Sequence, residues 1–129
     1  MKKADLFTRY LQQEGYMPKI DEDGDVVFKA EGLTYVLFAA EDDEEYFRLA
    51  IPNFWSIEDD EERLRVLNAA ATVTAQMKVA KVQVIRDNVW ASVEMLIDPI
   101  ENFSKVFPRA LRILQATIRE FREAVIVKH

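Results

Sequence analysis

The chain has 129 residues, half of them hydrophobic and 31% charged, with a net charge of −6 and no cysteine. That is the composition of an ordinary globular domain with one core, and we read residues 1–129 as a single domain. It excludes a disulfide framework, thiolate chemistry and Cys-based metal sites, and it suits a reducing cytoplasm. No signal-peptide core and no membrane-length apolar run is present, so a cytoplasmic address is the expectation.

Charge is divided along the chain: residues 1–62 carry a balance of −11 and residues 63–129 one of +5. A net acidic chain argues against nucleic acid as partner, because neutralising phosphates needs a concentrated basic surface. Arg109, Arg112, Arg119 and Arg122 recur on one broad face of the last helix, as the solvated side of an amphipathic helix does.

In chain order, residues 3–15 predict a helix with Leu6, Phe7, Tyr10 and Leu11 on one side, closed by Gly15. Met17–Ile20 is extended. The run Asp21-Glu22-Asp23-Gly24-Asp25 predicts a hairpin turn into Val26–Phe28, and Glu31-Gly32 a second turn into Leu33–Phe38, which is apolar on both faces. A third acidic turn, Glu41–Glu45, precedes a strand over Tyr46–Ile51 that Pro52 should end.

Ser56, with Asp59 three residues on, predicts the cap of a helix starting near Ile57. Its apolar line is Leu64, Leu67, Ala71 and Met77, flanked by Ala69, Ala70 and Val73. Lys78–Ile85 and Val89–Ile97 then form a hairpin around Asp87-Asn88. The second of these strands alternates: Val89, Ala91, Val93, Met95 and Ile97 make one face, Trp90, Ser92, Glu94 and Leu96 the other. Asp98-Pro99 should start the closing helix, whose stripe is Phe103, Phe107, Ala110, Leu114, Ile118, Phe121 and Val125.

The order α-β-β-β-α-β-β-α predicts an α+β fold: an antiparallel sheet of about five strands with helices mainly on one face, because the strand-to-strand turns are too short for parallel crossovers. Strands apolar on both sides then imply hydrophobic surface presented to something else.

Catalytic motifs are not evident. The acidic run at Asp21–Asp25 has its glycine at position 4 where a calcium loop needs it at 6, so it reads as a solvated hairpin tip. His129 is the sole histidine, which leaves no internal imidazole for base catalysis or metal ligation. Ser56, Ser92 and Ser104 have no basic partner nearby, and the scattered Gly15, Gly24 and Gly32 make no phosphate-cradling loop. A carboxylate pair of Glu94 with Asp98 is better explained as an outward strand residue and a helix cap. We expect no catalytic residue, no metal and no cofactor.

Aromatic residues carry more signal. Phe54 and Trp55 read first as a plug at the end of the core under the second helix. Trp90, Leu96 and Tyr46, with Trp55 as a further member, are the candidate partner-binding residues on the poorly covered sheet face.

The opening helix ending in Glu14-Gly15-Tyr16, the Asp21–Phe28 hairpin, the Asn68 helix followed by Lys78, and Asp98-Pro99 leading into Phe103 and Phe107 resemble the YbjN-type bacterial sensory transduction regulator family, whose fold is shared with type III secretion chaperones. The run Asn68–Ala71 departs from that likeness in being poor in polar residues. The resemblance implies an α+β domain with a five-stranded antiparallel sheet, commonly a homodimer, that binds partner proteins and has no catalytic residues to carry over. A small-ligand sensor with an apolar pocket between the final helix and the sheet is the alternative expectation.

Overall fold

A computed structural model describes residues 1–126; His129 lies outside them. The elements are α1 (Lys3–Gln13), β1 (Lys19–Ile20), β2 (Val26–Ala30), β3 (Leu33–Leu37), β4 (Tyr46–Ser56), α2 (Asp60–Gln76), β5 (Ala80–Ile85), β6 (Asn88–Leu96) and α3 (Phe103–Ile126). One antiparallel sheet holds all the strands in the order β1-β2-β3-β4-β6-β5. The α+β fold is as predicted, with six strands instead of five, because the extended Lys19–Ile20 adds a two-residue edge strand.

All three helices pack on one side of the sheet. Phe7 of α1 meets Phe47 of β4 and Phe103 of α3 edge to face, with ring centroids 6.5 and 4.8 Å apart. The α3 stripe from Phe103 to Val125 is buried throughout. A second cluster lies under α2, where Val66, Ala69, Ala70 and Val73 pack on Val82, Val89 and Phe121. At the end of α1, Tyr16 N–H bonds to the Leu11 carbonyl and Gly15 N–H to that of Gln12, with Gly15 at φ 92°, so the predicted glycine stop is a Schellman motif.

Four local expectations are corrected. Pro52 does not end β4; the strand runs on to Ser56 because the register shifts between Ile51 and Trp55, and a bulge needs no ladder N–H from the proline. Ser56 therefore pairs with Asn88 at the strand end, and α2 is capped by Asp59, whose side chain accepts from Glu62 N–H while Glu62 accepts from Glu58 N–H. The β5–β6 turn is Arg86-Asp87, not Asp87-Asn88: Arg86 takes φ 57°, and Arg63 of α2 donates to its carbonyl and pairs with Asp87. Asp98 and Pro99 precede a 3-10 turn, Ile100–Asn102, so α3 begins at Phe103 and Asp98 is not its cap.

The face of α2 also differs from expectation. Leu64 and Leu67 are 63% and 47% exposed, while the small residues Ala69 and Ala70 face inward, where they let α2 approach β5 and α3 closely.

Candidate functional site

The outer face of the sheet carries no helix, and ladder register decides what meets on it. In β4 and β6 the outward cross-strand pairs are Tyr46 with Leu96, Arg48 with Glu94, and Ala50 with Ser92. On either side, Val36 lies opposite Ala50 and Lys81 opposite Ser92.

Ala50 and Ser92 are too short to reach solvent between longer neighbours, and both are buried. Arg48 lies over this low centre. Its guanidinium carbon is 4.5 Å from the centroid of the Phe38 ring and 5.7 Å from that of Trp90, whose planes are within 23° of parallel. Trp90 is oriented by its indole N–H, which donates to Asn53 Oδ1 at 2.9 Å. Asn53 reaches it from the bulge after Pro52, where its own φ is 48°.

Glu94 is the polar hub beside this stack. It accepts the Tyr46 hydroxyl and pairs with Lys81, and Arg48 Nε lies 3.2 Å from its Oε1. Burial alone would push the Glu94 carboxyl up, but the bonds from Lys81 and Tyr46 and the charges of Lys81 and Arg48 outweigh burial and hold it below its ordinary range. Tyr46 is pushed up to about 12 by burial and by the Glu94 bond and charge, so its hydroxyl remains a donor across neutral pH.

Three of the four residues singled out from the sequence thus share this face: Tyr46 and Trp90 half-buried, Leu96 exposed at 72%. Trp55 does not join them. It turns to the helical side, 5.6 Å edge-on to Phe121, where with Phe54 it plugs the core beneath α2. Arg48, Phe38, Lys81 and Asn53 complete the surface and lie outside the set that the sequence pattern marks. The signal for Arg48 was present as a lone cation in an apolar strand, in the same outward set as Tyr46. Part of the expected greasy surplus also vanishes here, because Val36 and Ala50 are covered by side chains of their own face rather than left for a partner.

The sheet margins are restricted. At β5 the Val82 N–H donates to Thr74 Oγ1 of α2 at 2.8 Å, which occupies an edge group that a foreign strand would need. Asp21, Asp23 and Asp25 bring carboxylate oxygens within 4.8 Å of one another at the β1–β2 tip. There, Asp21 Oδ1 already accepts from two backbone N–H groups, those of Asp23 and Asp25. Among the described residues no helix is long and apolar enough to cross a membrane.

Two solved structures share this architecture. YbjN from E. coli, a candidate transcription regulator, matches over 92% of this chain and 90% of its own, with a TM-score of 0.69 and 10% identity. An uncharacterized protein from Methanothermobacter thermautotrophicus matches over 94% of this chain and 97% of its own, with a TM-score of 0.61 and 12% identity. No protein-family model and no curated protein matches the sequence. At these identities the likeness is one of fold, and the fold is of YbjN type.

Proposed function

We propose that the chain is a non-enzymatic interaction domain, regulatory or chaperone-like, that works as a homodimer and receives a partner protein on the outer sheet face. The observation that carries this reading is the helix-free face itself, with the Phe38–Arg48–Trp90 stack beside the exposed Leu96. Aromatic and arginine side chains of this kind are the residues that dominate binding energy at protein interfaces. Glu94 suits such a role better than catalysis, because a carboxylate held ionised by three partners is a weak proton acceptor.

A regulatory role is in keeping with the fold of YbjN. It would run through protein contacts, since a net charge of −6 opposes DNA. For self-association the outward stripe Leu64, Leu67 and Ala71 on α2 offers spacings of three and four residues on one exposed helix face. A reducing bacterial cytoplasm suits a chain without cysteine.

Site-specific photo-crosslinking tests the reading. A crosslinker at position 96 should capture one discrete partner in cells and one at position 119, on the helical side, should not; Trp90→Ala should reduce capture severalfold while leaving the circular dichroism unchanged. Equal capture from both positions, or no effect of Trp90→Ala, overturns it. Light scattering should give a dimer that Leu67→Glu converts to monomer, and a wild-type monomer at micromolar concentration removes the dimeric part.

A further inference from the structure

Away from the outer face, a cleft of about 440 Å³ opens between α3 and the corner of the sheet where β5 begins. This is within the range of about 300–1,000 Å³ typical of small-ligand sites. β5 starts at Ala80, opposite Val93, so the next inward residue of β6, Met95, has no β5 neighbour and forms one wall. Val106 and Ile113 of α3 form the other.

The polar groups in this cleft are all of one kind. Lys78, Lys105 and Arg109 line it, no acidic side chain does, and among the described residues none of the three cations is in an ion pair. In a chain of net charge −6 that is a local reversal of sign. Serine, threonine, asparagine and glutamine are also missing from the lining, so nothing there is suited to reading a sugar or a base.

The rim is strained. Ala80 N–H bonds to the Lys78 carbonyl at 2.7 Å, which makes Val79 the centre of a three-residue turn, with φ at 52°. A β-branched residue is a genuine outlier at positive φ, and such strain gathers where ligands are held. Val79 is also 54% exposed, so core packing does not account for its conformation.

We propose that this cleft binds a single-chain anionic amphiphile, a carboxylate or phosphate head on an alkyl chain, with the head held by Lys78, Lys105 and Arg109 and the chain laid against Met95, Val106 and Ile113. The cations supply point-charge recognition without base or sugar contacts, and the thioether of Met95 adapts to chains of different length. The ligand is taken singly, because the cleft is closed on one side by α3 and sized for one small molecule.

Titration of the full chain with dodecanoate below its micelle concentration, followed by NMR, tests this. Binding should be one to one, at least tenfold tighter than for dodecanol, with shifts centred on residues 78–79, 95 and 105–113, and acetate should cause none. Lys105→Gln with Arg109→Gln should weaken it tenfold or more, and Val106→Trp, which fills the cleft, should abolish it with the thermal transition retained. Trp90→Ala should leave it unchanged, which separates this site from the outer face. Dodecyl phosphate distinguishes the two head groups, either of which satisfies the proposal. Binding to phosphatidylglycerol vesicles without binding of the monomer, equal affinity for dodecanol, or shifts confined to the outer face would each overturn it.

Discussion

Tyr46 on β4 donates its hydroxyl to Glu94 on β6 across the outer face, as a diagonal neighbour two residues from direct cross-strand register. Their ionisations are displaced in opposite directions, and stability should follow both. Glu94 is held below its ordinary value of 4.5, so its contribution is complete above that pH and is lost as pH falls through the folded value. Tyr46 is raised from 10.0 to about 12, so its contribution is complete below pH 10 and is lost as pH climbs toward 12. Urea midpoints measured against pH should fall at both ends. Glu94→Gln should flatten the acid limb and Tyr46→Phe the alkaline one; parallel curves for wild type and variants would refute the assignment.

The hydroxyl of Thr74 is the partner of the Val82 amide at the sheet edge. Thr74→Val keeps the shape but leaves that amide unpaired, which should cost about 1–3 kcal/mol in urea unfolding. The variant should also associate more readily, as light scattering at increasing concentration would record, since an edge group becomes available.

Lys3 is only 3% exposed, and its ammonium donates to the carbonyls of Asp43 and Tyr46, both at 2.7 Å. It fastens α1 to the acidic turn that leads into β4. Lys3→Met retains the buried stem but strips both carbonyls of their donor, with an expected loss of about 1–3 kcal/mol. Hydrogen exchange should report it first in α1, and a loss spread evenly over the sheet would argue against a local fastening.

Val79→Asn places a residue tolerant of positive φ at the strained turn. Relief of the β-branched side chain should raise stability by about 0.5–1 kcal/mol, visible as a higher urea midpoint with unchanged slope. A lower midpoint would mean that Val79 contributes more by packing than it loses in strain.

Much of this was legible from the chain. The α3 stripe and the alternation of β6 emerged because each rests on a long, regular period that burial then enforced, and the second of these put Trp90 and Leu96 on the outer face. What misled was local. On α2 the large residues Leu64 and Leu67 outweighed Ala69 and Ala70 in the pattern, yet close packing against β5 selected the small ones. Pro52 looked like a stop because the bulge that accommodates it depends on how β4 meets β6, a long-range fact. The role of Arg48 is hidden in the sequence for the same reason: it lies in Phe38, Trp90 and Glu94, which only the sheet register brings together.

Thr74 has one more implication. With one margin of the sheet stoppered by a hydroxyl and the other trimmed to the two residues of β1, the molecule offers little length along which a foreign chain could zip itself on. On the proposed reading a partner comes at it broadside, against side chains more than backbone, so selectivity would be written in the shapes of rings and charges more than in the generic ladder that any extended peptide could supply.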